Sequence, residues 1–160
     1  MEFNFVKERV ETAITEFINN DAYLLEVNAN ERSMTHRLAI YLQEQFQEWN
    51  VDCEYNRNLA DAKRVHLLKE QLGIEIHQID TDDDSGQTVY PDIIVHHRGK
   101  NEDNLLIIEA KKSTSNIDEE RDHLKLIAYR EAPLNYKYGL FLKFIVGENP
   151  DIETAWENNR

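Results

Sequence analysis

The run LLIIEAKK at residues 105–112 constrains this chain more than any other segment. It is apolar on both faces until it ends in a carboxylate and an ammonium. That pattern predicts a strand buried on both sides whose charged end emerges where the sheet frays. Side chains alternate along a strand, so Glu109 and Lys111 share one face while Leu106, Ile108 and Ala110 share the other. Just upstream, residues 89–97 (VYPDIIVHH) predict a second strand, and the RGKNEDN between the two is a polar, glycine-containing turn of hairpin character. Pairing around that turn brings Asp92 close to Glu109 and Lys111. Two carboxylates and a lysine then meet at one end of a hairpin.

The rest of the chain supplies a frame for that hairpin. Phe3, Val6, Val10, Ala13, Ile14 and Phe17 recur at helical spacing, predicting a helix that ends near Asn19-Asn20. A second helix is expected from about Asn30 to Trp49, with Met34, Leu38, Leu42, Phe46 and Trp49 as its apolar stripe. Residues 51–56 alternate and predict a strand; 59–72 predict a third helix stopped by Gly73; 74–87 suggest a short strand and an acidic loop. After the hairpin, Ser115 or Asn116 is expected to cap a helix reaching Glu131 and ended by Pro133. Tyr138–Val146 predicts a last strand, and the polar tail to Arg160 a short helix or a frayed end. The expected class is α/β, a mixed central sheet flanked by helices in the order αβββαβ, with an extra N-terminal helix. Another helix is inserted after the first strand. At 160 residues, with no linker or repeat, one domain is expected, its core spanning about residues 30–146.

The residue types on the hairpin suit phosphodiester hydrolysis. A hard cation such as Mg²⁺, with Mn²⁺ as a possible substitute, takes oxygen ligands, and it polarises phosphate and acidifies water. Asp92 and Glu109 can supply such ligands, with the backbone carbonyl of Ala110 as a third. Lys111 can position or deprotonate the water and offset the charge that develops.

The YPD at 90–92 followed by the EAK at 109–111 resembles the PD-(D/E)XK nuclease superfamily, which has the restriction-endonuclease-like fold. The predicted element order is similar to that superfamily's core. The resemblance implies a metal-dependent nuclease, acting on DNA ahead of RNA. It implies Asp92 and Glu109 as metal ligands, Lys111 as the catalytic lysine, and Glu31 as an additional acid on the first core helix. Asp61-Ala62-Lys63 repeats the second half of the motif, but in a polar helical stretch with no strand before it. Pro150-Asp151 repeats the first half with nothing downstream to complete it.

Other residues carry two readings each. Glu31 faces inward with Met34, Leu38 and Leu42, but with Asn28 it also fits a capping box. His36 and Arg37 lie along the same helix, where either can approach a phosphate or simply be solvated. Arg57 is a possible substrate contact after the first strand, while Tyr55 is expected in the core. Lys125 either reaches the cleft or pairs with Asp122 at i,i+3 spacing. Lys112 faces away from Lys111 and is expected to pack against a helix or lie at the surface. His96 and His97 are adjacent in a strand, so they point to opposite faces and cannot chelate one ion together.

Charge sets the rival class. The 18 Lys and Arg face 31 Asp and Glu, a net charge of −13, with a block at Asp80, Asp82, Asp83 and Asp84. Phosphate-binding surfaces are ordinarily basic. The alternative is therefore an acidic nuclease-fold protein-binding module, or a DNA mimic, acting through a partner complex. One site cuts one strand, so double-strand cleavage needs a homodimer or a partner subunit, and the leading helix is a candidate surface for either. A single cysteine, Cys53, excludes an intrachain disulfide and a cysteine-rich zinc site. No apolar run approaches the roughly 20 residues of a membrane helix. No secretory leader precedes the first helix, so a soluble, cytoplasmic protein is expected.

Overall fold

Five strands lie side by side in chain order in a computed structural model that describes residues 1–54, 90–100, 102–131 and 134–157. They are β1 (Asn50–Cys53), β2 (Ile93–His96), β3 (Leu106–Lys112), β4 (Tyr138–Ile145) and β5 (Asp151–Trp156). The β1–β2, β2–β3 and β4–β5 pairs are antiparallel and β3–β4 is parallel, giving a mixed, open sheet. A parallel pair needs a crossover, and helix α3 (Glu120–Arg130) supplies it. The helices α1 (Phe3–Glu26) and α2 (Glu31–Gln45) precede the sheet. The predicted Tyr55, Arg57, helix over 59–72, segment 74–87, acidic block at 80–84, second Asp-x-Lys copy and Pro133 lie outside the described residues.

Strand alternation sorts the core into two layers. Ile93, Val95, Leu106, Ile108, Ala110, Leu140, Leu142 and Phe144 point to one face, where Val6, Val10, Phe17, Met34, Leu38 and Leu42 of α1 and α2 cover them. Ile94, Ile107 and Phe141 point to the other, against Leu126 and Tyr129 of α3. β3 lies in the middle of the sheet with both faces covered, as its unbroken apolar run requires. Ile108→Ala removes a fully buried side chain from this strand, and is expected to cost about 3 kcal/mol in denaturant unfolding. A loss below about 1 kcal/mol would mean that β3 is not the central buried strand.

Several boundaries differ from the sequence expectation, each for a reason visible in the structure. Helix α1 does not stop at Asn19-Asn20 but continues to Glu26, with non-helical angles only at Asp21 (φ −129°, ψ 16°). There the Asp21 carboxylate accepts from Arg37 Nε (2.9 Å) and Nη2 (2.8 Å) and from Tyr41 Oη (2.6 Å), so α2 carries the chain across the break. Beyond it Leu25 is fully buried. Helix α2 ends at Gln45 rather than Trp49. The Gln43 amide donates to the Phe46 and Trp49 carbonyls (3.2 and 2.9 Å) and accepts from Val51 N (2.9 Å), which turns the chain into β1. β1 ends at Cys53, where the next residue, Glu54, adopts a left-handed φ of 46°. α3 starts at Glu120, not at Ser115 or Asn116, since residues 113–119 form side-chain-bonded turns instead.

From Asp151 to Trp156 the tail is a strand rather than a helix or a frayed end. It returns along β4 as β5, with Leu140 opposite Trp156 and Ile145 opposite Asp151. Gly147 at φ 105° permits the reversal, a region that side-chain-bearing residues rarely enter. As an edge strand β5 buries Ile152 and packs Trp156 edge-on against Phe3 (5.1 Å), while Asp151, Glu153 and Thr154 stay exposed. Among the described residues no helix is long and apolar enough to cross a membrane.

Candidate active site

The end of β3 carries Glu109 and Lys111 onto the α3 face, both buried. Asp92 stands just before β2, and its Oδ2 accepts a hydrogen bond from Ala110 N at 2.7 Å. That bond pins the Asp92 carboxylate beside Glu109. α3 then lays Asp122 and Lys125 over the same spot. Lys125 Nζ donates to Glu109 Oε2 at 3.0 Å and to Asp122 Oδ1 at 3.2 Å. Lys111 Nζ forms an ion pair with Asp122 Oδ2 and donates to the Ile117 and Asp118 carbonyls, each at 3.2 Å. From the opposite layer Glu31, in the first turn of α2, accepts from Lys112 N at 3.0 Å.

Acids outnumber cations here, and most of the groups are removed from water. Burial pushes the Asp92 carboxyl up to about 6, against the opposing pull of the Ala110 N–H and the Lys125 ammonium; Glu31 and Asp122 push the same way as burial. Burial raises Glu109 well above the ordinary carboxylate range, and the nearby Asp92 charge adds to it. Burial pulls the Lys125 ammonium down, but Glu109 and Asp122 outweigh it and its pKa rises. Glu109 is 1% exposed, and its Oε1 has no hydrogen-bond partner among the described residues. A buried carboxylate oxygen without a partner is costly, and it suits an incoming cation. The donor chemistry of Asp92 and Glu109 therefore fits a hard divalent ion. Among the described residues no three His, Cys, Asp or Glu side chains are already gathered as a metal-holding group. Instead, the Lys125 ammonium compensates Glu109.

The predicted site residues fall as follows. Asp92, Glu109 and Ala110 meet at the hairpin end. Lys111 shares the face of Glu109, yet its ammonium turns to Asp122 and the loop before α3 rather than to Asp92. Lys125 makes the i,i+3 pair with Asp122 and a second ion pair with Glu109. Glu31 adds charge near Asp92 without being part of a capping box with Asn28. The cap is Asn30, whose side chain accepts from Arg32 N, while Asn28 accepts from Lys112 Nζ at 2.9 Å. That bond also assigns Lys112 to fastening the α1–α2 turn. His36 is exposed on α2. Arg37 is bonded to Asp21 and Tyr41, which hold it towards α1. Arg57 lies outside the described residues.

Asp122 is the site residue that sequence reasoning missed as such. Its only signal was its spacing to Lys125, because its pairing with Lys111 depends on how α3 packs on β3. Elsewhere the histidines separate as expected. His96 is buried against Asp52 Oδ2 (2.9 Å), and His97 stacks on Trp49 with ring centroids 4.2 Å apart. Burial, with Glu54, Asp52 and Asp92 nearby, pushes the Cys53 thiol up to about 11, which disfavours the thiolate. In comparison with known proteins, no family model, no curated protein and no solved structure matches this chain.

Proposed function

We propose that this chain is a Mg²⁺-dependent nuclease of the PD-(D/E)XK, restriction-endonuclease-like type, acting on DNA ahead of RNA. The observation that carries the reading is the half-buried Asp92 beside the buried Glu109 at the end of a hairpin, with one Glu109 oxygen unpartnered among the described residues and Lys111 on the same face. Asp92 and Glu109 would hold the ion, with Mn²⁺ as a substitute and the Ala110 carbonyl as a further oxygen. When bound, the ion supplies a polarised phosphate and a water of lowered pKa. The Ala110 N–H keeps Asp92 oriented, and burial keeps Glu109 from being satisfied by water. Lys111 positions the attacking water, and Asp122 with the 117–118 carbonyls fixes its ammonium. Glu31 raises the local negative potential. His36 and Arg57 are candidates for contact with the nucleic-acid backbone. Double-strand cleavage would take a second copy or a partner subunit.

The direct test is incubation with plasmid and with linear DNA in Mg²⁺ or Mn²⁺, read on gels. Cleavage is expected in wild type and lost in Asp92→Ala and in Lys111→Ala. Cleavage surviving both substitutions would overturn the mechanism.

The net charge of −13 favours a second reading, an acidic module or DNA mimic that works through a partner. Calorimetry with Mn²⁺ separates the two. A binding heat that disappears in Glu109→Ala supports the nuclease, and no metal binding at all supports the module.

A further inference from the structure

We infer that Lys125 is an internal cation that holds the place of the divalent ion at Glu109 and must leave when that ion binds. The inference rests on the metal site proposed above. Glu109 is buried, with one oxygen bonded to the Lys125 ammonium at 3.0 Å and the other without a partner among the described residues. An ammonium at that oxygen and a divalent ion on the same carboxylate repel each other, strongly so away from water. Lys125 has somewhere to go. Asp122 Oδ1 already accepts from it at 3.2 Å, so releasing Glu109 does not strand the charge. Asp122 in turn holds Lys111 through its other oxygen. Glu109, Lys125, Asp122 and Lys111 thus form one chain of alternating charge along the β3–α3 contact. The Lys125 side chain is also the more exposed of the two lysines, 17% against 8%, so once released it is the one able to meet a phosphate oxygen. The consequence is linkage: a nucleic-acid phosphate that takes Lys125 frees Glu109 for the ion, and the ion frees Lys125 for the phosphate.

Calorimetric Mn²⁺ titration of wild type, Lys125→Gln, Lys125→Met and Lys125→Arg tests this. The two neutral variants are expected to bind Mn²⁺ at least about tenfold more tightly than wild type, and Lys125→Arg to remain near wild type. Unchanged or weaker binding in Lys125→Gln, with wild type binding, overturns this inference and leaves the metal site standing. No binding in wild type or Lys125→Gln overturns the metal site itself. Binding in Lys125→Gln alone supports the inference in its strongest form. A measurement on unaltered protein covers the case in which the variants fail to fold. Amine acetylation of wild type, read by peptide mass spectrometry, is expected to label Lys125 several-fold faster in saturating Mn²⁺ than in its absence. An unchanged labelling rate would equally overturn the displacement.

Discussion

Asp92→Asn is expected to stabilise the metal-free protein at neutral pH while abolishing its binding of divalent ions. Asparagine keeps an oxygen to accept from Ala110 N, so the hairpin end stays tied, and only the buried charge is removed. The sign follows from the direction of the shift. The Asp92 carboxyl titrates near 6 in the folded protein instead of 3.8, so the fold favours its protonated form. That contribution is fully present below about pH 4 and is lost as pH rises through about 6. A displacement of this size corresponds to about 3 kcal/mol. Asp21 and Asp52 act in the opposite sense. The Tyr41 hydroxyl and Arg37 lower the first, and Arg98 with His96 lowers the second, so their stabilisation is lost as pH falls. The informative quantity is therefore the difference between variant and wild type in urea unfolding at pH 4 and pH 8. Asp92→Asn is expected to gain 1–3 kcal/mol on wild type at the higher pH, about the range for an uncompensated buried group, and little at the lower. A variant less stable than wild type at pH 8 would show that the carboxylate is structural rather than held ready for a ligand.

Lys111→Ala is expected to separate binding from chemistry. A lysine that positions the nucleophile contributes on the order of 10²–10⁴ in rate. Single-turnover cleavage should fall by about that factor, while Mn²⁺ binding, which depends on Asp92 and Glu109, persists. The fold should tolerate the change because Asp122 retains Lys125 as a partner at 3.2 Å. Asp122→Asn is the companion measurement. It removes the ion pair that holds the Lys111 ammonium but leaves the Ile117 and Asp118 carbonyls, so a loss of about tenfold is expected. Cleavage by Lys111→Ala at the wild-type rate would remove the lysine from the mechanism.

Much of the sheet was legible because strand periodicity is local. Alternation in residues 105–112 assigned Glu109 and Lys111 to one face, and the polar turn after His97 implied antiparallel pairing with the strand that follows Asp92. The unbroken apolar run implied a central strand covered on both sides. β5 escaped notice because an edge strand buries one face only, and Ile152 and Trp156 among polar neighbours look like a tail until β4 pairs with them. The extension of α1 escaped for a related reason. Asparagines and an aspartate signal a helix end locally, but Arg37 and Tyr41, contributed by another helix, bridge Asp21.

The sequence by itself determined which residues share the face of β3 and which apolar positions make much of the core, since a period of two along a strand and the helical spacing along α1 and α2 are both local. It also determined that a carboxylate precedes β2 within reach of that end. Only the tertiary structure decided the partners of the charges. Lys111 meets Asp122 rather than Asp92, and Lys125 meets Glu109, because α3 packs on β3 at an angle that no local periodicity encodes. Burial then decides the chemistry. The same residue types at a solvated surface would be ordinary ion pairs, whereas away from water they leave one Glu109 oxygen without a partner among the described residues and push the Asp92 carboxyl up to about 6.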